Sequence, residues 1–124
     1  MTEAALTPLD VVRAYHRGWS SGRFDEAIAR LSPDLAVEVP INAYGSAAEF
    51  GAAVRAFGAL AERVVVLCEL AHDDEVMLLY DMDVRGLGAL RVAEHFTVRD
   101  QRIARIRQIH DTATLRAAGF ARGS

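Results

Sequence analysis

The sequence predicts an α+β fold: a curved antiparallel sheet, cone-shaped, wrapped around three N-terminal helices, with an internal pocket. Three observations carry this. Apolar residues recur at helical spacing through the first half of the chain. The second half changes to strand-like runs of β-branched and apolar residues joined by links of two or three residues. At 124 residues with 52% apolar and 25% charged residues, the chain has the size and composition of one ordinary globular domain, spanning residues 1–124. Such a domain buries roughly two thirds of its unfolded surface, so it needs no metal or disulfide staple.

The elements follow in order. Thr7 reads as an N-cap with Pro8 at the first helical position and Asp10 in the first turn. Val12, Tyr15 and Trp19 then mark one helix face, and Ser20-Ser21-Gly22 breaks the helix. A second helix is expected from Phe24 to Leu31, stopped ahead of Pro33, whose ring disfavours helix in the preceding residue. Leu35–Val39 is a short strand candidate closed by Pro40. Ser46 and Glu49 have capping-box spacing, and Phe50, Val54 and Phe57 follow at helical spacing to about Leu60. Strands are expected over Arg63–Ala71, Glu75–Arg85, Ala89–Arg99 and Arg102–Asp111. The turns between them are His72-Asp73-Asp74, Gly86-Leu87-Gly88 and Asp100-Gln101. Thr112–Ala118 suggests a last helical turn ended by Gly119.

Several classes of function fall away on composition. All 14 basic residues are arginine, so chemistry that requires a lysine amine, such as Schiff-base formation or a Walker-type phosphate loop, is excluded. One cysteine, Cys68, allows no internal disulfide and no cysteine-rich zinc site, and it is expected to be a packed thiol. A net charge of −3 with dispersed arginines argues against a nucleic-acid surface. No apolar run reaches the ~18 residues of a membrane span, and the first residues lack a signal-like pattern, so a cytoplasmic location is expected. Neither a cofactor nor a metal is expected. Asp81 and Asp83 sit at i and i+2 without evident further ligands and are expected to face solvent or a second subunit.

Strand alternation picks out the chemistry. From Leu90 to Val98 the even positions are Leu90, Val92, Glu94, Phe96 and Val98, which sets Glu94 on the apolar face. A carboxyl there must find a partner or keep its proton with a raised pKa. It could donate to a developing oxyanion or act as a general acid. Equally, it could be a structural partner for a buried backbone or tyrosine group, or be turned outward by a bulge. In the last strand Ala104, Ile106, Gln108 and His110 form one face, and Ile103, Arg105, Arg107 and Ile109 the other. The face without arginines is expected to line the pocket. His110 is then either a proton-transfer partner of Glu94 or a satisfied core histidine. Leu78, Tyr80, Met82 and Val84 form the apolar face of the strand before. On the first helix, Tyr15 could close a network with Glu94 or donate to a ligand, and His16 could reach either pocket or solvent.

Three stretches, Val11–Tyr15, Ala36–Pro40 and Ala93–Val98, together with the order of elements, resemble the nuclear transport factor 2-like superfamily over about residues 8–120. That group includes SnoaL-like polyketide cyclases, ketosteroid isomerases, scytalone dehydratase and limonene epoxide hydrolase. The resemblance implies the cone fold, an enclosed apolar pocket and a homodimer through the outer sheet face. Ketosteroid isomerases hold an oxyanion with a helix tyrosine and a protonated aspartic acid in an Asp-His-Phe strand motif. Tyr15 matches the tyrosine, and Glu94 in Glu94-His95-Phe96 matches the acid. Their base precedes a proline, where this chain has Val39 before Pro40. The Ala43-Tyr44-Gly45 loop is similar to that of the epoxide hydrolase, but the last-strand acid appears as Gln108.

The resulting expectation is a cofactor-free isomerase, cyclase or dehydratase acting on a small lipophilic carbonyl or hydroxyl compound. Glu94, Tyr15 and His110 are its catalytic candidates, with His110 as the base. Trp19, Val39, Tyr44, Tyr80, Met82, Phe96, Ile106 and Gln108 are its ligand contacts. The alternative is a non-catalytic ligand-binding or dimerisation module of the same fold.

Overall fold

The computed structural model describes residues 5–40 and 42–113. The chain runs α1 (Pro8–Ser20), α2 (Phe24–Ile28), β1 (Leu31–Glu38), β2 (Ala43–Tyr44), α3 (Ala47–Gly58), β3 (Ala61–His72), β4 (Glu75–Val84), β5 (Gly88–Arg99) and β6 (Arg102–Ile109). The six strands form one unclosed, curved sheet in the order β2-β1-β6-β5-β4-β3. The four long strands are consecutive antiparallel neighbours, as the short links predict. β1 joins them parallel to β6, so the whole sheet is mixed. The helical turn expected at Thr112–Ala118 and Gly119 extends beyond the described residues.

Helix α1 starts with both arms of a capping box. The Thr7 side chain accepts from Asp10 N at 3.1 Å, and the Asp10 carboxylate accepts from Thr7 N at 3.2 Å. At α3 the Ser46 side chain accepts from Glu49 N at 3.2 Å, but the Glu49 carboxylate reaches one residue further back, to Gly45 N at 3.1 Å. The buried face of α1 carries Val11, Val12, Tyr15, His16, Gly18 and Trp19. It packs against β3, β4, β5 and β6, and shares one core with inward-facing Leu35 and Val37 of β1, Val76 and Leu78 of β4, Phe96 of β5 and Ile103 and Ile106 of β6.

Several expectations change. The second helix ends at Ile28 rather than Leu31, because Leu31 is drawn into the sheet as the partner of Ile103. Pro33 therefore lies inside β1, in the stretch between Leu31 and Ala36 where the ladder to β6 breaks register, so its missing N–H costs no regular ladder bond. Ile103, expected on the outer face with the arginines, is fully buried. The pairing passes from Thr97↔Arg105 to Val98↔Ile103, two residues of β6 against one of β5. That bulge inverts the alternation, so Ile103 and Ile106 both point inward. The Asp100-Gln101 turn has φ of 52° and 61°, the double left-handed geometry that matches the twist of a two-residue hairpin.

Cys68 is exposed on β3, not packed, because β3 is the edge strand and most of its residues remain accessible. Asp81 faces outward and holds Arg91 across the β4–β5 pair through two bonds of 2.6 and 2.8 Å.

Candidate active site

Glu94 is the centre of the site. It points inward from the middle of β5 with 1% of its surface exposed. Gln108 lies directly opposite on β6, and Tyr80 lies diagonally across on β4, since Leu78 pairs with Glu94 and Tyr80 with Val92. Both reach the carboxyl. The Tyr80 hydroxyl donates to Oε1 at 3.0 Å and Gln108 Nε2 donates to Oε2 at 2.6 Å. Burial pushes the Glu94 pKa up to about 7, while the bonds from Gln108 and Tyr80 pull the other way by favouring the charged form. Both protonation states are therefore accessible near neutral pH.

This carboxyl opens onto a cavity of about 300 Å³. Of the expected contacts, Trp19, Val39, Tyr44, Tyr80, Met82 and Gln108 line it, as do Tyr15, Glu94 and His110. Phe96 and Ile106 do not. They face each other across β5 and β6 one inward step beyond the Glu94–Gln108 pair, and both are fully buried. There Tyr15 closes the sheet from α1, its ring edge-on to Phe96 with centroids 6.0 Å apart. Phe96 and Ile106 are thus the floor of the core rather than the wall of the cavity.

The expected triad is only partly assembled. Tyr15 is buried and shares the cavity, but its hydroxyl makes no hydrogen bond to Glu94. Tyr80 takes that position. Burial, and then the charge on Glu94, hold the pKa of both tyrosines well above the ordinary phenol value, so both remain donors. His110 lies just past the end of β6. Its Nδ1 sits 3.1 Å from the Asp111 carbonyl, and no hydrogen bond links it to Glu94. The expected His110–Glu94 pair is therefore not formed.

Two features are not settled by the sequence. The first is the wall supplied by α3, where Phe50, Ala53, Val54, Phe57 and Gly58 line the cavity. The Phe50–Val54–Phe57 stripe was visible, but a stripe alone does not tell a core face from a cavity wall. The second is His16, 3% exposed. Its ring stands edge-on to Tyr80 at 4.5 Å and to Trp19 at 4.9 Å, behind the residue that holds Glu94. Burial lowers its pKa to about 4, so the ring is neutral, and its Nε2 has no hydrogen-bond partner among the described residues.

Among the described residues no arginine lines the cavity, and no group of three or more His, Cys, Asp or Glu is placed to hold a metal ion. No helix among them is long and apolar enough to cross a membrane.

A buried acid at the bottom of an apolar cone can be set beside known proteins. None of the curated proteins matches this chain. Among solved structures, a protein from Kribbella flavida DSM 17836 is similar over 98% of both chains, at 30% identity and a TM-score of 0.84. A nuclear transport factor 2-like protein of unknown function from Cytophaga hutchinsonii ATCC 33406 has a TM-score of 0.83 at 16% identity, covering 92% of this chain and 98% of that one. A candidate ketosteroid isomerase from Kribbella flavida DSM 17836 has a TM-score of 0.74 at 17% identity, covering 83% and 76%. At such identities the last two speak for the fold alone. The SnoaL-like domain pattern matches residues 12–106, from the first turns of α1 to the inward Ile106 of β6, and so includes both Tyr15 and Glu94. The chain belongs to the SnoaL-like domain family.

Proposed function

We propose that the protein is a cofactor-free acid–base enzyme acting on a small lipophilic carbonyl or hydroxyl compound, by isomerisation, dehydration or aldol-type cyclisation. The observation that carries this reading is a fully buried carboxyl with a pKa near 7, facing an apolar cavity. A group of that pKa accepts and returns a proton with little cost in either direction at neutral pH. Glu94 therefore takes the proton-transfer role that the sequence reading gives to His110. Ionised, it removes a proton from the carbon beside a ligand carbonyl. The Tyr15 hydroxyl, not committed to Glu94, donates to the oxygen where negative charge develops. Protonated Glu94 then returns the proton at another position or to a leaving hydroxyl. Tyr80 and Gln108 hold the carboxyl, and apolar walls limit access of competing water. His110, at the end of β6, remains available to relay protons to solvent.

The test is exchange of α-hydrogens for deuterium in small cyclic ketones, followed by NMR. Glu94→Gln is expected to slow exchange by ~10²–10³, and Tyr15→Phe by ~10². Full activity in both variants rejects the mechanism. The second reading, a binding module, is favoured by Val39 and Gln108, which stand where the resemblance places acids in related enzymes. Native mass spectrometry that finds a retained ligand the protein does not turn over supports it.

A further inference from the structure

We infer that this cavity binds a small hydrophobic molecule bearing an ammonium group, with the ammonium against Glu94 and the carbon skeleton enclosed by aromatic rings. The inference rests on the reading that the cavity is a ligand site, not on any reaction occurring there.

The first argument is charge. A fully buried carboxylate is ordinarily paired with a cation. Among the described residues Glu94 has only neutral donors, Tyr80 and Gln108, and no arginine lines the cavity. The described arginines with carboxylate partners are engaged elsewhere: Arg13 with Glu69, Arg23 with Glu26, Arg55 with Asp25, Arg91 with Asp81 and Arg105 with Glu38. The described residues leave the counter-charge to be supplied by a ligand. The second argument is hydrogen-bond capacity. A carboxylate offers about four lone-pair sites. Tyr80 takes one on Oε1 and Gln108 one on Oε2, which leaves a place on each oxygen for an N–H donor.

The third argument is the wall. Tyr15, Trp19, Tyr44, Phe50, Phe57 and Tyr80 all line the cavity. Aromatic faces attract cations and repel anions through their quadrupole, most strongly where water is displaced. A ligand acid meets the opposite situation: a buried carboxyl of like charge, ring faces of the wrong sign and, among the described residues, no guanidinium. The same cavity therefore discriminates by charge, with ammonium first, a neutral hydroxyl next and a carboxylate last. An ammonium seated there also draws Glu94 into its ionised form, since an opposite charge at contact favours the charged state.

Trp19 is the single tryptophan and lines the cavity, so its fluorescence reports occupancy. Three ligands of one skeleton are titrated at about pH 8, where Glu94 is mostly ionised: 3-phenylpropylamine, 3-phenylpropanol and 3-phenylpropanoate. The amine is expected to bind about tenfold tighter than the alcohol, and the acid to bind weakest. In Glu94→Gln the amine is expected to fall to the affinity of the alcohol or below, while the alcohol changes by less than about threefold. The inference is overturned if the alcohol or the acid equals the amine in the wild-type protein. It is overturned equally if the amine preference survives in a folded Glu94→Gln, or if the amine gives no saturable signal up to about 10 mM. Should the variant not fold, the wild-type ranking decides alone. Ketone exchange without amine binding removes this inference and leaves the acid–base reading. Amine binding without any exchange does the reverse.

Discussion

Glu94 and His16 lie on either side of Tyr80 and pull stability in opposite directions with pH. The Glu94 pKa is raised from 4.5 to about 7, so the folded state holds a proton that the unfolded chain has released. Its contribution is full below about pH 4.5 and is lost as pH rises through 7. The His16 pKa is lowered from 6.5 to about 4 by burial, with a small opposing pull from Glu69, itself paired to Arg13. Its contribution is present above about pH 6.5 and is lost as pH falls through 4. Each is worth on the order of 3 kcal/mol, so between pH 4.5 and 6.5 the two slopes nearly cancel. Urea denaturation across this range is expected to show a flat wild-type profile. In His16→Phe, which keeps a ring beside Tyr80, stability should fall toward pH 7. In Glu94→Gln it should rise. Identical slopes in the two variants would sink this account. The inward direction of Glu94 was legible from alternation. The burial of His16 was not, because one helix step separates it from Tyr15 and only the packed neighbours decide which side is covered.

Helix starts and strand periods were the most legible elements, because a cap or an alternation is written within a few consecutive residues. What escaped were features made by two segments meeting: the parallel pairing of β1 with β6, the bulge that turns Ile103 inward, and the close approach of α1 to α2. That approach depends on Gly18. A Cβ there would lie 3.0 Å from Ala27 Cβ and 3.1 Å from Ala27 N, so the obstacle is backbone that cannot swing away. Gly18→Val is expected to cost about 1–3 kcal/mol, read as a lowered Tm. Gly45→Ala, where nothing lies within 4 Å, is expected to stay within about 0.5 kcal/mol. Equal melting of the two variants would show that the helices are not in contact at Gly18.

Among the described residues, the three helices lie on the concave side of the sheet and apolar side chains are exposed on the convex side. Leu70 and Met77 face each other there across β3 and β4, and Ile109 emerges on the same side from β6. They are 65%, 39% and 72% exposed. The family resemblance implies a homodimer through this face, and we propose that two copies bury these side chains together. Apolar residues grouped on one sheet face are worth more covered than wetted. Sedimentation velocity at tens of micromolar is expected to give a dimer for the wild-type protein and a monomer for Leu70→Glu. A wild-type monomer at that concentration rejects the pairing.

The amino-acid order alone was enough to give the α+β class, the helix caps, the four antiparallel strands and a carboxyl on the apolar side of β5. Each is a periodic or capping signal confined to one segment. Packing chose the partners. Tyr80 rather than Tyr15 holds Glu94, Phe96 and Ile106 belong to the core floor, and α3 supplies a cavity wall. These outcomes depend on the cross-strand register, on the β6 bulge and on where a helix comes to rest. All three are set by contacts between residues far apart in the chain, so no local pattern encodes them.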